Sequence, residues 1–381
     1  MFTYLYTLIT LIAYILAIPI LLLLALKKKY RQAIPARFFL INNPPFSQKL
    51  IHFHACSLGE TKALAPLVQK LEKCNISVIT QTGFAAASSY PNAQVRYLPF
   101  EPLLWVWLKP QKALVVMEAE LWYLLFYISK KRGAKTILLN ARISDRSLHR
   151  YMRFIWFYKR VFAHIDYVFA QTKEDAKRLE QLGAKNIEVI GNIKLLSIPQ
   201  VTKKYEKSRP IIVAASTHDP EEEIIATEWV VHQKGKSTLV VAPRHPERFD
   251  EVAELLEHIA AREDLTFSLL SQTENLEADI ILIDKLGELN NLYAVADLVI
   301  LGGSFVESGG HNPLEPAYFG APIVSGPYYF NQKESYAYVE GIEVVPANDL
   351  GSVLQHYNWK KSKIVADVSL DPVWKVLEDV V

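Results

Sequence analysis

Two short stretches of the chain set carboxylates where an apolar strand gives way to a helix. Residues 50–54 read as a strand and run into Ala55-Cys56-Ser57-Leu58-Gly59-Glu60-Thr61-Lys62, with a helix from about residue 63. A glycine and an acid at such a turn place the Glu60 carboxylate beside a helix N-terminus. Taken alone, that position is explained by a negative charge complementing the helix dipole. The second stretch is Met117-Glu118-Ala119-Glu120-Leu121-Trp122, where a strand opens directly into two acids. An acid–base or charge-stabilising group accounts for this pattern, and so does a capped helix start.

Further along, the signals are denser. Ser216 and Thr217 sit in Ala214-Ala215-Ser216-Thr217-His218, after a strand and before Glu221-Glu222-Glu223, a helix start suited to holding phosphate on backbone N–H groups. Pro243-Arg244-His245-Pro246-Glu247-Arg248 caps the next strand, and Gly302-Gly303-Ser304 caps a later one. Gly309-Gly310-His311-Asn312-Pro313-Leu314-Glu315-Pro316 follows. Glycines there let backbone approach a ligand closely, and Asn312 and Glu315 stand about one helical turn apart. A glutamate at that place can bind ribose hydroxyls. Three such turns on successive strands of one sheet are hard to explain by structure alone.

The elements that must carry these turns alternate in a regular way. Residues 50–54, 76–80, 113–117, 136–139 and 167–170 read as strands between amphipathic segments. A second series follows at 211–214, 237–241, 280–283, 298–301 and 322–324. Strand–helix alternation predicts α/β architecture, with parallel sheets covered on both faces. Residues 197–209 are polar and basic and contain a proline, which predicts a linker. The predicted organisation is a segment at 1–31, a Rossmann-like doubly wound domain at 32–196, the linker, and a second such domain at 210–381 with a closing C-terminal helix. Two domains of this kind leave a cleft at the carboxyl ends of their strands.

The chain has 381 residues, which suits two domains and an appendage. Half of it is apolar and its formal net charge is +2, so neither disorder nor bulk attraction to nucleic acid is implied. The segment Phe2 to Leu26 is apolar and long enough to cross a bilayer as an anchor helix that neither domain uses. Lys27, Lys28, Lys29 and Arg31 follow it, which predicts that the rest lies on the cytoplasmic side. The charges lie after the apolar run and no small-residue cleavage site is present, unlike a signal peptide. Cys56 and Cys74 make no disulfide framework, and Cys56 reads as a small buried residue. No His/Cys/Asp cluster has metal-ligand spacing in the sequence.

These motifs resemble the bacterial 3-deoxy-D-manno-oct-2-ulosonic acid (Kdo) transferases. The likeness runs from the apolar segment to about Asn331. It rests on Ser57-Leu58-Gly59-Glu60, Met117 to Trp122, Asn140-Ala141-Arg142-Ile143-Ser144 and Gly191-Asn192-Ile193-Lys194, and on Ala215-Ser216-Thr217-His218, Pro243 to Arg248, Leu286-Gly287-Glu288-Leu289 and Gly309 to Pro316. The resemblance implies a B-type glycosyltransferase fold that moves Kdo from CMP-Kdo to a lipid A precursor. The acceptor would bind the first domain and the donor the second. It implies Glu60 as general base, with Glu118 and Lys194 stabilising the transition state. CMP would be held by Pro243, Arg244, Leu286, Gly287, Glu288, Asn312, Pro313, Leu314 and Glu315. Ser216, Thr217, His245, Gly303 and Ser304 join them as donor-site candidates through their turns. Leu58 stands where the family often has valine, and Leu286 where it often has methionine; both stay apolar.

The implied chemistry suits these residue types. Breaking the bond to CMP leaves positive charge on the sugar and negative charge on phosphate, which a lysine matches. The acceptor hydroxyl needs a carboxylate base. One phosphate calls for no divalent ion, and the resemblance implies neither metal nor cofactor. Arg142, Arg146, Arg150, Arg153, Lys159 and Arg160 interleave with Tyr151, Phe154, Trp156, Phe157 and Tyr158. That mixture suits either anionic membrane lipid or an ordinary helix with solvated arginines. The expected place is the bacterial cytoplasmic membrane, with one span and both domains on the cytoplasmic side. Two other readings stay open: a B-type transferase or epimerase using a UDP-sugar, and an inactive membrane-tethered scaffold. The nucleotide bound separates the first. Glu60, Glu118 and Lys194 retained together speak against the second.

Overall fold

The computed structural model describes residues 1–28, 30–197, 199–356, 358–365 and 367–379. Lys29 of the basic run and Ile198 of the expected linker lie outside the described residues. The chain forms two compact units, Met1–Ser197 with Ala366–Val381, and Ile198–Val365.

The first unit is built on strands β1 (Ile51–Ala55), β2 (Cys74–Val78), β3 (Ala93–Tyr97), β4 (Ala113–Met117), β5 (Lys135–Ala141), β6 (Tyr167–Ala170) and β7 (Ile187–Val189). They pair in parallel in the order β3-β2-β1-β4-β5-β6-β7. Strand β4 shows why these residues make a central strand. Ala113, Val115 and Met117 enter one core while Leu114 and Val116 enter the other, so the period-two alternation is apolar on both faces.

The second unit uses β8 (Ile211–Thr217), β9 (Thr238–Pro243), β10 (Phe267–Leu269), β11 (Ile280–Leu282), β12 (Leu298–Leu301), β13 (Ile323–Ser325) and β15 (Ile342–Val344), in the parallel order β10-β11-β9-β8-β12-β13-β15. A short antiparallel pair, β14 (Val339–Glu340) with β16 (Lys363–Ile364), lies beside it. Each main sheet grows outward in both directions from a central pair, β1 and β4 in the first and β8 and β12 in the second. Doubly wound sheets bind ligands at that switch, outside the carboxyl ends of the strands.

Three boundaries differ from expectation. The chain end was expected to close the second domain, but the helix Asp371–Glu378 packs in the first unit, where Val373 and Leu377 are buried in its core. Their four-residue spacing puts both on one helix face, and Ser369 N–H donates to Ile190 O at 3.1 Å to set the approach. Residues 199–209 are laid onto the second unit and do not hang free. Thr202 and Lys203 donate backbone N–H groups to Asn291 Oδ1, Tyr205 is buried, and Arg209 pairs with Asp279 at 2.7 Å.

The third difference concerns helix α1 (Phe2–Ala25), which is long and apolar enough to cross a membrane. It was expected to be used by neither domain, yet it is docked on the first unit. Thr3, Tyr6, Thr7, Thr10 and Tyr14 fall at helical spacing and make one hydroxyl-bearing face. Thr3 Oγ1 meets Tyr123 OH at 2.8 Å, Tyr6 OH donates to the buried Glu101 carboxylate, and Trp105 Nε1 donates to Thr7 Oγ1 at 3.2 Å. Tyr14 OH donates to Phe38 O, and Phe2 packs edge-on against Tyr123 and Trp156. Leu5, Leu8, Ile12, Ile15, Leu16 and Leu23 remain exposed on other faces. Tyr6→Phe leaves the Glu101 carboxylate with Leu124 N–H as its remaining donor among the described residues. It is expected to cost about 1–3 kcal/mol, seen as earlier thermal unfolding in detergent micelles. An unchanged transition would mean the docked helix adds nothing to the unit.

Candidate active site

At the carboxyl end of β1, Ser57 caps the helix Leu58–Ala63. Its Oγ accepts Glu60 N–H at 3.3 Å and donates to Glu60 Oε1 at 2.7 Å, while Cys56 N–H donates to Glu60 Oε2 at 2.7 Å. This is close to a capping box, so the helix-end account of Glu60 is partly right. The carboxylate is nevertheless only 7% exposed. Burial first, and then the neighbouring Glu118 and Glu120 carboxylates, raise its pKa against the lowering effect of the two hydrogen bonds. A carboxylate with raised proton affinity, its geometry fixed by two donors, is what a general base requires.

Glu118 leaves the end of β4 with φ of 54°, a left-handed conformation rare for a residue with a side chain. Its N–H donates to Leu139 O at 2.8 Å, and its carboxylate is in contact with Lys194 Nζ as an ion pair. Lys194 is placed by the Asn140 side chain. Asn140 Oδ1 accepts Ile193 N–H at 3.0 Å, its Nδ2 donates to Asn192 Oδ1, and Asn192 Oδ1 also accepts Lys194 N–H. Gly191 has φ of 81°, and a Cβ there would lie 2.3 Å from Asp367 O, so the bend needs glycine. The four motifs of the first half, distant in sequence, are thus neighbours at one switch point.

In the second unit the organising residue is Glu221, which sequence reading passed over. Fully buried, its carboxylate accepts backbone N–H groups from His218 (2.9 Å), Gly303 (2.6 Å), Ser304 (3.1 Å) and Phe305 (2.9 Å). It ties the turn after β8 to the turn after β12. A Cβ on Gly302 would come within 2.6 Å of Ser216 O, so these turns touch only because glycine is there. His218 and His311 stack at 5.3 Å between centroids, with Nε2 atoms 3.1 Å apart, and His245 meets His218 edge-on. Burial first, then Arg244 and the neighbouring imidazoles, push His311 down to about 4.

Several expected donor-site residues have other employment. Ser304 is buried, its hydroxyl donating to Leu301 O and accepting Gly326 N–H, and its own N–H and that of Gly303 are taken by Glu221. In both, these groups are engaged in holding the turn. Thr217 is buried, and its hydroxyl finds no partner among the described residues; Ser216 is buried too, with φ of 57°. Pro243 is buried at the end of β9, whereas Arg244 and His245 are exposed just beyond it. Leu286 and Gly287 are exposed. Glu288 accepts from Tyr205 OH and Asn291 Nδ2, each at 2.8 Å, and lies 3.5 Å from Lys285. Burial raises its pKa, but those partners outweigh it and hold the group below its ordinary value. Asn312 Oδ1 accepts Leu314 N–H at 3.1 Å, with Pro313 buried at the N-cap of the helix Leu314–Tyr318, so Glu315 stands exposed in its first turn.

Two doubly wound units with ligand-type turns at their switch points define a glycosyltransferase fold of the B type. The same fold is seen in UDP-GlcNAc 2-epimerase from Neisseria meningitidis bound to UDP-GlcNAc, with a TM-score of 0.52 at 11% identity over 87% of this chain and 99% of that one. The family described as 3-deoxy-D-manno-octulosonic-acid transferase (kdotransferase) matches residues 32–197. A 3-deoxy-D-manno-octulosonic acid transferase of Haemophilus influenzae is 32% identical, covering 93% of this chain and 89% of the relative. The C-terminal CMP-Kdo binding domain of WaaA from Acinetobacter baumannii is 32% identical over 39% of this chain and 79% of that domain, with a TM-score of 0.33. The chain belongs to the 3-deoxy-D-manno-octulosonic acid transferase family and is a glycosyltransferase.

Proposed function

We propose that the chain transfers Kdo from CMP-Kdo to a lipid A precursor, with inversion at the sugar, in building the lipopolysaccharide core. The observation that carries this reading is the gathering of Glu60, Glu118 and Lys194 at the switch point of the first sheet, in a chain of this family. The acceptor hydroxyl oxygen attacks the anomeric carbon, and its proton passes to Glu60. The bond from that carbon to the CMP phosphate oxygen breaks, and the electron pair leaves with CMP. Glu118 complements the positive charge on the sugar and Lys194 the negative charge on the phosphate. Arg244, His245 and the Leu286–Glu288 and Asn312–Glu315 stretches serve the nucleotide. Helix α1 anchors the chain at the bacterial cytoplasmic membrane, with both units on the cytoplasmic side. The exposed Phe154, Trp156 and neighbouring arginines meet its lipids.

Incubation with CMP-Kdo and a lipid A precursor, followed by weighing the product, tests the reaction: the acceptor gains the mass of Kdo. Stabilisation by UDP and not by CMP overturns the donor assignment. Glu315→Ala is expected to weaken CMP binding by about 1–3 kcal/mol in calorimetry, the scale for hydrogen bonds to a charged group. Unchanged affinity removes Glu315 from the nucleotide site.

A further inference from the structure

Strands β1 and β4 bring together three side chains that no spacing in the sequence connects. His54, Cys56 and Glu120 offer a nitrogen, a sulfur and a carboxylate oxygen that all lie within 4.8 Å of one another. His54 Nε2 is 3.6 Å from Cys56 Sγ. Zinc bonds of about 2.0–2.1 Å to nitrogen and 2.3 Å to sulfur, at the tetrahedral angle, separate those atoms by about 3.6 Å.

The surrounding groups set each ligand in its binding form. His54 Nδ1 lies 3.0 Å from Ser77 O and 2.9 Å from Ser77 Oγ; with its proton donated to the carbonyl, Nε2 turns its lone pair to the thiol. An imidazole whose other nitrogen donates to a backbone carbonyl is the usual orientation of a metal-bound histidine. Trp122 Nε1 donates to Glu120 Oε2 at 2.8 Å and orients that carboxylate, which also accepts from the Cys56 thiol.

We infer that His54, Cys56 and Glu120 form a binding site for a soft divalent cation such as Zn²⁺, with water as fourth ligand. Thiolate and carboxylate together neutralise the ion, and one proton is released per ion bound. The site adjoins the proposed base through a single residue, because Cys56 N–H holds Glu60 Oε2. The inference does not depend on the transfer reading.

Titrating the full chain in detergent micelles with Co²⁺ tests it. One equivalent is expected to raise a near-ultraviolet thiolate-to-cobalt charge-transfer band, which Zn²⁺ then removes. Cys56→Val should abolish the band, as should Cys56→Ser if valine disturbs folding, while Cys74→Ala should retain it. Glu120→Gln should weaken Zn²⁺ binding by at least about 10-fold, the lower limit for groups that only orient ligands. Absence of the band, its survival in both Cys56 variants, or unchanged Zn²⁺ affinity in Glu120→Gln overturns the site.

Discussion

Replacing Glu60 by glutamine is expected to slow Kdo transfer by about 10²–10⁴-fold, the usual worth of general-base catalysis, while CMP binding persists. The substitution keeps the turn: the amide oxygen still accepts a hydrogen bond, and the Ser57 hydroxyl can reverse to accept one from the new N–H₂. Stability should therefore change little. The pH profile separates a base from a group acting only by its charge. As the proposed base, Glu60 acts when deprotonated, and burial with its acidic neighbours raises its pKa. The rate should therefore climb with pH through a midpoint above the ordinary carboxylate range. That acidic limb should vanish in Glu60→Gln, whereas Glu118→Gln should lower the curve and keep its shape. Near-normal turnover with the acidic limb intact in Glu60→Gln moves the role to another carboxylate.

The second large effect is expected at Glu221, which touches no substrate in the proposed reaction. Glu221→Ala strands four backbone N–H groups at once, three of them buried. Removing one partner of a buried charged network typically costs about 3–5 kcal/mol, a large share of the stability of an ordinary domain. Urea unfolding should begin well below the native midpoint, and CMP affinity should fall because the turns after β8 and β12 lose their common fastening. If both the midpoint and CMP affinity are unchanged in Glu221→Ala, the carboxylate is not the fastening.

What could be read in the sequence follows from how each residue is buried. Central strands such as β4 and β8 are apolar on both faces and stand out as runs. Edge strands β7 and β15 are three residues long, each Ile-Glu-Val, and too short to carry a period. Glu60 and Glu118 were legible because each follows a central strand, but the positive φ of Glu118 has no mark in residue type. Glu221 was hidden among three successive glutamates, although its distance of four residues from Ile225 and eight from Trp229 places it in phase with the buried helix face. The pairing of His54 with Glu120 needs the β1–β4 register, which no local pattern supplies. The C-terminal helix was misassigned because a face of Val373 and Leu377 suits either core equally.

The docked face of α1 bears on how the enzyme would meet the lipid acceptor proposed above. A helix joined to its domain by chain alone would let the first unit tumble freely beneath the bilayer. The proposed acceptor would then have to wait for a favourable attitude. Here hydroxyls and rings from Thr3 to Tyr14 fasten α1 to the same unit that carries Glu60 and Glu118. Wherever the lipid fixes the helix, it also fixes the compass bearing of those carboxylates. On the proposed reading, encounter with an acceptor confined to the membrane becomes a search in two dimensions toward one constant face, with the rotational part of the search already completed by folding.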